Sequence, residues 1–265
     1  MPEPTDELLM ETVGRVRIFT LNRPERRNAM TSSLNSALAY AIDEAGADPE
    51  IGAIVLTGAG EAFCAGADMK AGAQADAASG SSRGSMRGPM SGVRRYLFEL
   101  ILETPKPIIA AVNGVAAGGG TELALACDLR VCDPTARFIL PEAKRGMGAH
   151  FATVMLPRLI PATHAFEMLY LGEPLSAEDA YRIGLVSHVT KPNGARDTAV
   201  EIATRIAANA PITLRRMKET VVKSSGLPIH AALRLNEGLS PYQSEDRVEG
   251  FRAFVEKRAP QWSGR

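Results

Sequence analysis

Residues 106–128 read KPIIAAVNGVAAGGGTELALACD, and this stretch decides the fold. Residues 107–112 are a short apolar run of strand character, Asn113-Gly114 breaks it, and residues 121–127 are apolar almost all round except at Glu122. The pattern predicts a buried strand turning into a core helix with one misfit, a carboxylate in its first turn. Gly118, Gly119 and Gly120 let a backbone pass close to another group, and the free N–H groups of a helix start meet developing negative charge. A carboxyl in such a low-dielectric setting has its pKa raised, which suits proton transfer. The alternative is purely structural: close packing at the glycines and dipole complementation by Glu122. Neither G-x-G-x-x-G nor G-x-x-x-x-G-K-[ST] occurs in the stretch, which argues against nucleotide phosphate binding of those two types.

A second carboxylate follows at a short distance. Residues 137–140 read as a strand, and Pro141-Glu142 leaves its end twenty positions after Glu122. Two glutamates at successive strand ends suit convergence on one apolar pocket, where environment divides such a pair into an acid and a base.

Outward from this centre, residues 8–21 read as two strands around Gly14, Thr31 caps a helix running to about Ala47, and residues 51–57 form a buried strand. Strand and helix alternate through Val189, which predicts an α/β fold of stacked strand and helix units. From Asp197 the pattern is helical, with breaks at Pro211, Gly226-Leu227-Pro228 and Ser240-Pro241. This divides the chain into a core, 1–196, and a helical region, 197–265. Residues 71–89 are dominated by Ala, Gly, Ser and Met and read as a mobile stretch, either a lid or a surface loop. No internal sequence repeat is evident.

Composition narrows the function classes. The 265 residues are 45% hydrophobic, enough for a sizeable core, and thirty basic residues balance thirty acidic ones. Zero net charge gives no support for broad attraction to nucleic acid or anionic membrane. Cys64, Cys127 and Cys132 form no C-x-x-C pair, so neither a zinc site nor a disulfide framework is expected, and reduced thiols in a cytoplasm fit best. No signal peptide or span of about 20 apolar residues is found.

An ordered set of segments resembles the crotonase, or enoyl-CoA hydratase/isomerase, superfamily. They are LNRPERRNA (21–29), IVLTGAGEAFCAGADMK (54–70), residues 106–128, Phe138 to Glu142, LPRL (156–159), GEPLSAEDA (172–180) and Gly184-Leu185-Val186. The likeness covers roughly residues 10 to 258. It implies a crotonase-like superhelix of repeated ββα turns with a C-terminal helical trimerisation domain. It also implies assembly as a homotrimer or a dimer of trimers, with no nucleic-acid or membrane partner.

The resemblance also implies roles. Ala67 and Gly119 match the residues whose N–H groups form the family's oxyanion hole for a thioester carbonyl, and Glu122 and Glu142 match the two glutamates of the hydratases. Ala29, Ala65, Met69 and Gly118 fall on the acyl-CoA path. Arg26, Arg27 and Lys70 fall near the adenosine and pantetheine path, where cations pair with phosphate. Asp68 is expected to hold the oxyanion loop and not to react. No cofactor is implied, coenzyme A being part of the substrate. The implied activity is hydration of a 2-enoyl-CoA. The alternatives are double-bond isomerisation, another acyl-CoA lyase or hydrolase reaction, or a non-catalytic role as an RNA-binding or inactive partner subunit. One departure stands out: the family's glycine-rich loop after Glu142 is replaced by GMGAHFAT (146–153), one residue shorter before Leu156. His150 there either faces the acyl pocket, where it titrates near neutral pH, or points to solvent or a partner subunit.

Overall fold

The computed structural model describes residues 5–68, 96–235 and 238–265. Leu8–Val13 (β1) and Val16–Leu21 (β2) form an antiparallel hairpin around Gly14, whose φ of +56° suits glycine. Beyond β2 the sheet grows by parallel additions. Ala53–Gly58 (β3), Ile108–Val112 (β5), Leu129–Cys132 (β7) and His188–Val189 (β10) complete six strands in the order β1-β2-β3-β5-β7-β10. Ala62–Cys64 (β4), Val115–Ala117 (β6), Arg137–Ile139 (β8) and Leu175–Ser176 (β9) make a second sheet in the order β4-β6-β8-β9.

The chain steps from the first sheet to the second three times: β3 into β4, β5 into β6, β7 into β8. This is the ββα superhelix implied by the resemblance, present without a repeat in the sequence. It corrects the reading of residues 106–128, because β6 intervenes between the first strand and the helix. Asn113 organises the step: its side chain accepts from Gly58 N–H at 3.2 Å and donates to Gly60 C=O at 2.8 Å. Gly114 lies against the Glu61 carbonyl so closely that no side chain fits.

Ser32–Ala47 (α1) starts where expected, with the Thr31 hydroxyl accepting from Leu34 N–H at 3.0 Å. Together with Leu97–Glu103 (α2), Gly119–Ala126 (α3), His150–Leu159 (α4), Ala162–Leu171 (α5) and Ala177–Arg182 (α6), it buries the main apolar core. Ala195–Ala207 (α7) covers the other face of the six-stranded sheet. Its alanines 195, 199, 203 and 207 recur every fourth residue and pack with Val16, Ile18, Val55, Ile109 and Val131. It begins two residues before the expected Asp197, because Asp133 Oδ1 accepts from the Gly194 and Ala195 N–H groups at 2.9 and 3.1 Å. Pro211–Lys223 (α8), Ile229–Ala232 (α9) and Glu245–Glu256 (α10) follow. Lys218 on α8 fastens this tail to the core, donating to Asp128 at 2.8 Å and to the Lys106 carbonyl at 3.0 Å. Among the described residues no helix is long and apolar enough to cross a membrane.

Candidate active site

Parallel pairing of β6 with β8 brings the two glutamates together. Ala117 registers with Ile139, and the Gly118 N–H donates to the Ile139 carbonyl at 2.9 Å, so the turns leaving both strands lie side by side. Thr121 reinforces the junction, its hydroxyl donating toward the Ala116 and Ile139 carbonyls at 2.8 and 2.9 Å. One turn opens α3 and carries Glu122; the other is a 3₁₀ turn, Pro141–Arg145, carrying Glu142. Gly118 sits between them at φ +54° and ψ −124°, and a Cβ there would lie 2.9 Å from Glu142 Oε1. Only glycine meets both demands.

The two carboxyls are buried but differently served. Glu122, 8% exposed, accepts from the Ala152 N–H at 2.9 Å, in the first turn of α4. Glu142, 9% exposed, has an Oε2 with no hydrogen-bond partner among the described residues. Burial raises the pKa of both. At Glu122 the Ala152 and Phe151 N–H groups oppose that rise, and the His150 charge does so further. At Glu142 its own N–H opposes it and the neighbouring Glu122 charge adds to it. Both carboxyls are thus biased toward the neutral form, with a helix start opposing that bias at Glu122 and a neighbouring charge adding to it at Glu142.

Across from them runs the segment Ala65-Gly66-Ala67-Asp68, which leaves β4. Met30 N–H donates to the Gly66 carbonyl at 2.8 Å and Asp68 N–H to the Met30 carbonyl at 3.1 Å, a parallel bridge centred on Ala67. In such a ladder the N–H of Ala67 points away from Met30. Gly66 at φ +84° is pressed onto the end of β6 and the start of α3: a Cβ there would lie 2.5 Å from the Ala117 carbonyl oxygen and 3.0 Å from Gly119 N. A Cβ on Gly119 would lie 3.9 Å from Ala67 N. Ala67 and Gly119 are therefore neighbours, and neither N–H has a backbone acceptor among the described residues.

The remaining sequence candidates spread outward. Ala65 is half-buried and donates to the Arg27 carbonyl at 2.9 Å, while Ala29 is buried. Asp68 is held by Arg23 at 3.2 Å. Arg26 and Arg27 are exposed on the turn after β2. His150 is exposed at the first position of α4. Met69, Lys70 and the stretch 71–89 lie outside the described residues. Sequence reasoning did not single out Arg23 or Asn28, both in LNRPERRNA. Asn28 is fully buried at φ +57°, and its amide donates to the Ala59 and Ala62 carbonyls at 2.9 and 2.7 Å. An asparagine between a strand end and a helix cap is the available signal.

Stepped ββα turns with two buried carboxyls beside the adjacent Ala67 and Gly119 N–H groups define a crotonase-fold protein. The family model for enoyl-CoA hydratase/isomerase matches residues 11–265. The (E)-benzylidenesuccinyl-CoA hydratase of Thauera aromatica is 38% identical, over 96% of this chain and 98% of its own. The short-chain-enoyl-CoA hydratase of Clostridium acetobutylicum is 35% identical over 96% of each. The crystal structure of an enoyl-CoA hydratase from Mycobacterium tuberculosis H37Rv superimposes with a TM-score of 0.86 at 36% identity, covering 98% of this chain and 100% of that one. The chain belongs to the enoyl-CoA hydratase/isomerase family.

Proposed function

We propose that this protein is an enoyl-CoA hydratase, adding water reversibly to a 2-enoyl-CoA thioester to give the 3-hydroxyacyl-CoA. The observation that carries the reading is the pair of buried, unequal carboxyls beside the adjacent Ala67 and Gly119 N–H groups. Hydratases among its relatives support it. In this mechanism the two N–H groups bind the thioester oxygen. Ionised Glu122 takes a proton from water as its oxygen attacks C3, the C2=C3 electrons pass to the carbonyl oxygen, and protonated Glu142 then supplies the proton at C2. The two glutamates exchange their protons with solvent to reset, and dehydration runs the same steps backward. Stabilising the enolate oxygen is the larger contribution: losing one such donor costs about 3–4 kcal/mol. Burial disfavours the charge of both; Glu122 suits the base because the N–H groups of α4 oppose that penalty, and Glu142 suits the acid because the Glu122 charge adds to it.

No cofactor is needed, since coenzyme A arrives with the substrate. Arg26 and Arg27, both exposed, are available to its phosphates. Residues 197–265 act as the assembly region of a trimer or stacked pair of trimers. α10 presents Val248, Phe251, Phe254 and Val255 to solvent in the single chain, which favours their burial by a second copy. Three free, buried cysteines favour a reducing cytoplasm. Incubation with 2-enoyl and 3-enoyl thioesters, with products identified by mass and by chromatography against isomer standards, tests the reaction. Hydrated product from the 2-enoyl substrate is expected; double-bond migration without water gain would reject hydration.

A further inference from the structure

The turn that follows β2 reaches the candidate oxyanion loop through one side chain. Arg23, with its side chain 15% exposed, has three partners on three segments: Glu7 at 2.9 Å, the Ala29 carbonyl at 2.6 Å and Asp68 at 3.2 Å. Glu7 is held from behind by the Thr31 and Ser33 hydroxyls at 2.8 and 3.1 Å, at the capped start of α1. A run of charge-assisted hydrogen bonds therefore joins a helix cap to the residue directly after Ala67. The Arg23 N–H also donates to Asn28 Oδ1 at 2.9 Å, steadying the left-handed pair Arg27 and Asn28 at φ +49° and +57°.

We propose that Arg23 is a positioning residue that sets the direction of the Ala67 N–H, gripping the Ala29 and Asp68 ends of the Met30–Ala67 bridge at once. Met30 aligns the loop by two backbone bonds, and Arg23 clamps the chain on both sides of that alignment. The planar guanidinium spans partners in three directions, which a lysine ammonium on a flexible stem does not. The proposal rests on the reading that Ala67 N–H binds the thioester oxygen. A donor displaced by about 1 Å binds a substrate with little change yet loses its grip on the developing charge, at a cost of up to about 100-fold in rate.

The experiment uses the full-length protein, a 2-enoyl-CoA for kinetics and a saturated acyl-CoA carrying ¹³C at the thioester carbonyl for infrared difference spectra. The wild type is expected to shift the bound carbonyl band to lower frequency. Arg23→Gln should lower kcat roughly 10- to 100-fold with KM changed by less than about threefold, and should return the band toward its free position. Arg23→Lys and Glu7→Gln should fall between. A variant that loses thermal stability but keeps the full band shift per bound ligand would show a merely structural role and overturn the proposal. Absence of a shift in the wild type would overturn both the proposal and the oxyanion reading beneath it. A wild-type shift without hydration would overturn hydration alone.

Discussion

At the scale of single residues, the contrast between Glu122 and Glu142 makes the strongest demands. Glu122→Gln and Glu142→Gln are each expected to reduce hydration by about 100-fold or more in steady-state assays while circular dichroism stays unchanged. Glu142 has a second signature. Its folded pKa lies above the ordinary 4.5 because it is buried, so between those values the folded chain keeps a proton that the unfolded chain has released. Stability falls as pH rises through that window, and the deficit is complete above the folded pKa. Glu142→Gln should therefore melt higher than the wild type at pH 7.5, with the gap narrowing toward pH 4. His150 bears on the other carboxyl: its charge lowers the Glu122 pKa. His150→Ala should move the acidic limb of the kcat/KM profile to higher pH, since Glu122 then needs a higher pH to ionise. If His150 also lines the acyl pocket, selectivity between short and branched enoyl thioesters changes with it.

At the scale of elements, the site depends on where two short strands end. Gly118→Ala puts a methyl against Glu142 and forces an alanine into φ +54°, so about 1–3 kcal/mol of stability and most of the activity should be lost. Denaturant titration and turnover measure these separately. The glutamates, the glycine run, the α1 cap and the strand–helix alternation are legible in the sequence because local pattern or an ordered motif carries each. β6 is not, because three residues are too few to show a period and the transfer between sheets is set by Asn113 bonding to residues over fifty positions away. Arg23 escapes for the same reason: Asp68 is 45 positions distant, and a surface-type arginine in RPERR gives no local sign of it.

For the whole molecule, the exposed apolar face of α10 is the feature that a single chain leaves unexplained. Phe254 is 83% exposed and lies beside Val255 and Phe251, also exposed. Sedimentation velocity should show a trimer or hexamer for the wild type and a shift toward monomer for Phe254→Glu; a wild-type monomer across working concentrations would reject the assembly. The sheet order has a separate consequence, for how the chain reaches this state. After the β1–β2 hairpin every neighbouring pair in the six-stranded sheet is parallel: Val16 pairs with Ala53, and Ile54 with Ile108. None of these pairings can zip from a tight turn, so each waits on closure of a long loop. Folding should accordingly be slow, with strand edges open for longer than in a helical bundle of equal length. Newly made chains would then depend on dilution or chaperones more than the finished enzyme's stability suggests.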